Sequence, residues 1–117
     1  MKSFITTLSL ITTLAVAGLG FAQTEQANHC KQAREHVNAA VMEGKKGDTK
    51  ALVQHAEMGL EHAKMAQQPK AVSDVGKAIK SLEETIKQGK AGDANKATEH
   101  ATESLEYLDA AIGALGG

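Results

Sequence analysis

The sequence predicts an all-α protein, an up-down-up-down antiparallel four-helix bundle made of two repeated helical hairpins. The first observation behind this is an internal repeat. Gly44-Lys45-Lys46-Gly47-Asp48 returns 45 residues later as Gly89-Lys90-Ala91-Gly92-Asp93, and His55-Ala56 and Leu60-Glu61 return at the same offset as His100-Ala101 and Leu105-Glu106. The second is that apolar residues on both sides of each glycine turn recur at three- and four-residue spacing, the period of a helix buried on one face. The third is that every connection is short, which forces successive helices to be antiparallel neighbours. No stretch after the N-terminal segment alternates in the manner of a strand.

Residues 1–22 are expected to lie outside the bundle. Lys2 gives a positive start, Phe4 to Leu19 is largely apolar, and Gly20-Phe21-Ala22 places small residues where a signal peptidase needs them. The segment reads as a signal peptide cut after Ala22, which implies a periplasmic protein with no membrane attachment after cleavage. A retained membrane anchor is the competing reading, and Thr6, Thr7, Thr12 and Thr13 interrupt the apolar run against it. The bundle then occupies residues 23–117, with one hairpin over about 24–67 and the other over about 70–115.

Composition narrows the function. Lys2 is the one charge before the cut, so the remaining chain carries 12 basic and 14 acidic residues, with both signs interspersed. That balance offers no basic patch for nucleic acid. Tyr107 is the one aromatic residue beyond the signal segment, so no stacking platform for bases or sugars is available. Cys30 is the one cysteine and can form no intrachain disulfide, so packing alone holds the fold. The core is mostly alanine, which buries little area, and stability is expected to be modest.

The first helix is expected from about Thr24 to Glu43, with Cys30, Ala33, Val37, Ala40, Val41 and Gly44 on its apolar stripe. Gly44 and Gly47 end it, and Asp48 caps the second helix by accepting from free N–H groups of its first turn. The second stripe is Leu52, Ala56, Leu60, Ala63 and Ala66, and Pro69 breaks the pattern. The third is Val72, Val75, Ile79, Leu82 and Ile86, ended by Gly89 and Gly92. Asp93 caps the last helix, whose stripe is Ala97, Ala101, Leu105, Leu108, Ile112 and Leu115.

The histidines fall in register across the first hairpin. Taking its turn as a mirror, residues whose numbers sum to 91 stand at one level, which pairs His36 with His55 and His29 with His62. At 100° per residue, His29 and His36 share one edge of the first helix, and His55 and His62 share the matching edge of the second. His55 and His62 are separated by a rise of about 10.5 Å, too far for one ion with metal–nitrogen bonds of about 2 Å. Two separate two-histidine levels are therefore expected. Met58 and Met65 lie on the side of the second helix that carries His55 and His62, and Cys30 adjoins His29 while also falling on the core stripe. Soft donors of this kind favour copper. In the second hairpin the matched pairs are Ser81/His100, Asp74/Tyr107 and Gln88/Asp93, and His100 is the one strong ligand. Each histidine taken singly is more often a polar boundary residue than a ligand; the matched register is what raises them to ligand candidates.

Two stretches, EHVNAAVMEGKKGDTKALVQHAEMGLEHAKMA from Glu35 to Ala66 and VGKAIKSLEETIKQGKAGDANKATEHATESLEYLDAA from Val75 to Ala111, resemble the small metal-binding proteins of the bacterial periplasm. The Gly-Lys-x-Gly turns and the run from His55 to Ala63 carry the resemblance most specifically. It implies a secreted four-helix bundle that binds divalent metals, notably copper, and it places His36, His55, His62 and His100 where that family has histidines. The family tends to have histidine where this chain has Glu43, Asp48, Lys77, Ser81, Gln88, Asp93 and Tyr107, so this is a histidine-poor member.

The expected function is metal binding or buffering without catalysis, with His36, His55, His62, His29 and His100 as ligands and copper, then nickel or zinc, as the ion. No Ser/His/Asp set, phosphate loop, Cys-x-x-Cys-His haem attachment or Glu-x-x-His pair of a di-iron bundle is present. The alternative is an exported structural or stress-related interaction bundle with no physiological metal, its protein partner being unspecified.

Overall fold

A computed structural model describes residues 9–116, with side chains from Glu25 onward. Four helices follow one another: α1 Ser9–Lys45, α2 Thr49–Gln67, α3 Ser73–Lys90 and α4 Ala94–Ala114. Among the described residues there is no strand. Each helix packs along its two neighbours in a closed ring, α1 on α2, α2 on α3, α3 on α4 and α4 on α1, while the α2–α4 diagonal touches only lightly. The chain is thus an antiparallel four-helix bundle of two hairpins.

The two hairpin turns are the same structure. Asp48 N–H donates to the Glu43 carbonyl at 3.0 Å and Gly47 N–H to that of Gly44 at 2.9 Å; Asp93 and Gly92 donate to Gln88 and Gly89 at 3.0 Å each. Gly47 and Gly92 have φ of +83° and +85°, a conformation that closes a helix and that side chains resist. Asp48 then accepts from Ala51 N–H, and Asp93 from Lys96 N–H, both at 3.0 Å, so each caps the next helix as expected. Gly44 and Gly89 serve a different need: a β-carbon on either would run into Leu52, and into Thr98 or Val53 respectively.

The α2–α3 connection is held by side chains whose role the sequence pattern did not disclose. Gln26, only 4% exposed, donates from Nε2 to the carbonyls of Ala66 at 2.7 Å and Lys70 at 2.6 Å. Gln67 Oε1 accepts from Val72 N–H at 2.8 Å. Together they tie the end of α2 to α1 and to the start of α3.

The core follows the expected stripes on α1, where Cys30, Ala33, Val37, Ala40 and Val41 are buried. On the other helices most of the expected stripe is buried as well, Leu52, Ala56, Ala63, Ala66, Val75, Leu82, Ala97, Ala101, Leu108 and Ile112 included, with departures at a few positions. Leu60, Ile79, Ile86 and Leu105 are half-buried at the margins, and Gly59, Ala78, Ser81, Thr85 and Ser104 take the central places. The hydroxyls are accommodated because Thr85 donates to the Ser81 carbonyl at 2.8 Å and Ser104 to that of Ala101 at 2.7 Å, within their own helices.

The first helix begins earlier than expected. α1 runs without a break from Ser9 through the Gly20-Phe21-Ala22 motif into the bundle, because no proline or capping side chain stands between Ala22 and Thr24 to interrupt it. Lys2 and Phe4 lie outside the described residues, as do the side chains of the cleavage motif.

Candidate metal site

The four histidines of the first hairpin come together along the α1–α2 seam. Their rings form one row that alternates between helices: His55 of α2, His36 of α1, His62 of α2 and His29 of α1. Centroid separations along the row are 6.3, 5.5 and 5.5 Å, with interplanar angles of 27°, 9° and 31°. Both mirror pairs are present, but the expected separation into two levels is not. His36 is nearer to His62 than to His55, and so joins the pairs. Side chains lean toward the N-terminus of their helix. In antiparallel helices His36 therefore leans away from the turn and His62 toward it, and the two converge; His36 and His55 lean apart.

The helices approach closely enough for this because of Gly59. A β-carbon there would stand 2.9 Å from Val37 Cγ2 and 3.3 Å from the Ala33 carbonyl oxygen.

Donor atoms meet at the end of the row remote from the turn. Nδ1 of His29 and Nδ1 of His62 are 3.3 Å apart, a hydrogen bond in which one imidazole donates and the other accepts. The same spacing suits a metal. Two nitrogens so placed, each about 2.0–2.1 Å from a shared ion, subtend roughly 105–110° at it, close to tetrahedral. At the other end, Nδ1 of His55 is buried and has no hydrogen-bond partner. A buried ring nitrogen left unpaired is costly, and ligation of an ion would satisfy it.

Electrostatics favour the neutral, ligating form of His62. Burial of its ring, then the neighbouring His29 and His36, push it below the ordinary value of 6.5, and Glu61 acts weakly the other way. Among the described residues no group of three or more His, Cys, Asp and Glu side chains is placed to hold one ion. The row therefore offers imidazoles in pairs, and other donors must complete a coordination shell.

The remaining candidates are elsewhere. Cys30 is fully buried in the core, and burial pushes its thiol above the ordinary value of 9.0, so it stays a protonated packing residue rather than a soft ligand beside His29. His100 stands on α4 apart from the row, with Nδ1 donating to Glu103 Oε1 at 3.2 Å; the same carboxylate oxygen accepts from Ser81 Oγ at 3.2 Å. The expected Ser81/His100 level is thus bridged by Glu103, which sequence reasoning missed because Glu103 lies on neither mirror position. Tyr107 lies under the Lys77 ammonium, 5.8 Å from its ring centre.

None of the curated proteins compared with the chain matches it. A family of proteins described as small metal-binding protein does: its model matches residues 1–111, nearly the whole chain. With a histidine row assembled across a repeated helical hairpin, this four-helix bundle belongs to the small metal-binding protein family.

Proposed function

We propose that this protein binds or buffers a late first-row metal in the periplasm, copper first and nickel or zinc as alternatives, without catalysis. The ligands are the neutral imidazoles of His29, His36, His55 and His62 at the α1–α2 seam, with His100 a weaker separate position. The observation that carries this reading is the 3.3 Å approach of the two Nδ1 atoms of His29 and His62. An ion at that point would take both lone pairs in place of the hydrogen they share. His36, stacked on His62, holds that ring in place. Copper comes first because affinity of nitrogen ligands peaks there along the first-row divalent series. Export rests on the reading of residues 1–22 as a cleavable signal.

Calorimetric titration of chelator-treated protein with Cu(II) tests the assignment. The pair His29→Ala/His62→Ala should remove most of the binding and His100→Ala little of it. Equal losses would overturn the seam as the site. No binding by the wild-type chain would leave the exported interaction bundle as the better reading.

A further inference from the structure

The two-nitrogen end of the row lacks a third ligand of the usual kinds, since no further His, Cys, Asp or Glu side chain among the described residues is placed to share an ion with His29 and His62. It has a thioether instead. Met65 follows His62 by one helical turn on the same side of α2, and with His29 it lines one cleft at the α2–α3 end of the seam, together with Glu25, Gln26, Gln68 and Pro69; His62 is not part of that lining and joins it through its Nδ1, 3.3 Å from that of His29. The cleft wall is fixed: Gln26 binds the carbonyls on both sides of Pro69, at Ala66 and Lys70. Met65 itself is 38% exposed, an apolar side chain kept at the mouth rather than in the core.

We propose that this end of the row is a copper(I) site formed by His29 Nδ1, His62 Nδ1 and the Met65 thioether. The proposal rests on the reading of the histidine row as a metal site and adds to it the oxidation state of the ion. Copper(I) is soft and takes thioether and imidazole donors together, whereas zinc in structural sites asks for four harder or anionic ligands. The other sulfurs are placed differently. Cys30 is sealed in the core as a thiol, Met58 stands on the stretch of α2 between His55 and His62, and Met42 lies exposed on α1 beside the first turn, neither methionine lining the cleft.

The test is Cu(I) affinity under anaerobic reducing conditions, by competition with a Cu(I)-specific chelator, together with X-ray absorption of the copper-loaded protein. Ni(II) affinity is measured on the same variants. A sulfur neighbour is expected in the wild type, retained in Met58→Leu and Cys30→Ala and lost in Met65→Leu. Met65→Leu should weaken Cu(I) by roughly 10–100-fold, the range that losing even an outer-shell partner costs a metal site, and leave Ni(II) unchanged. A sulfur neighbour that survives Met65→Leu, or disappears in Cys30→Ala or Met58→Leu, overturns the proposal, as does an equal loss of Ni(II). If Ni(II) binding depends on His62 but copper has no sulfur neighbour, the copper(I) site falls and the histidine row stands. If the wild type binds neither ion, both fall.

Discussion

Gly59 lies against His36: a β-carbon at position 59 would stand 3.7 Å from the His36 Cβ and 2.9 Å from Val37 Cγ2. α1 and α2 are therefore in close contact at the level where His36 enters the row. Gly59→Ala gains about 1 kcal/mol of helix propensity, but it overpacks a closed seam, which typically costs about 1–3 kcal/mol. The variant should melt below the wild type and bind Cu(II) more weakly. Gly113→Ala is the control, because a β-carbon there meets nothing within 4 Å; it should melt slightly higher. Thermal melts of the two variants give opposite signs if the contact at Gly59 sets the helix spacing.

The metal-free protein should lose stability as pH falls from about 6.5. His62 has a folded-state value below its ordinary 6.5, so in that window the unfolded chain takes up the proton more readily than the folded one. The contribution is fully present above 6.5 and is lost as pH drops through the depressed folded value. Urea midpoints measured between pH 8 and 5 check this, and His62→Gln should flatten that part of the profile.

The two caps should be interchangeable in cost. Asp48 and Asp93 make the same 3.0 Å bond to the third residue beyond, and each replacement by alanine should cost about 1 kcal/mol. Both turns stand at the same end of the bundle, but the two capping bonds share no partner, so the double variant should lose the sum, within about 0.5 kcal/mol. Chemical denaturation of the three variants decides it.

Bound metal should raise the melting temperature through α1 and α2. An ion held only by the folded seam adds about 2.7 kcal/mol at a hundred times Kd, a shift on the order of 10–20 °C for a domain this small. Exchanging positions, as His55→Ala with Ala56→His, keeps the histidine count but turns the ligand by about 100° off the seam, into a position that is fully buried. The copper-dependent shift, taken against each variant's own metal-free melt, should shrink. An undiminished shift would mean that His55 is not a ligand and that binding rests on the His29–His62 end of the row alone.

Much of this was legible in the sequence, because a duplicated turn with its glycines and capping aspartates specifies a hairpin by local chemistry alone. The matched numbering of His29 with His62 and of His36 with His55 also carried over into contacts. What escaped was anything set by small shifts between helices. The junction of the two pairs through His36 depends on side-chain lean and on Gly59, neither visible in a mirror built on residue numbers. Ser81, Thr85 and Ser104 stand outside the apolar stripes that mark a core; two of them, Thr85 and Ser104, bond back to carbonyls of their own helix and so can be buried. Gln26 and Gln67 were invisible for the opposite reason, as polar side chains whose partners lie in a connection that no periodicity describes.

The alanine core has a bearing on chemistry outside it. Ala33, Ala56 and Ala63 are wholly enclosed between the helices that carry the histidines, and their small volume sets how near the two backbones lie. Imidazoles are short, so the gap between facing nitrogens is fixed from within by the calibre of residues that never touch a ligand. Enlarging one of them, for example Ala63→Val, would widen the gap before it unfolded the bundle. Affinity for the ion could then be tuned by interior substitutions alone, with every ligand left in place.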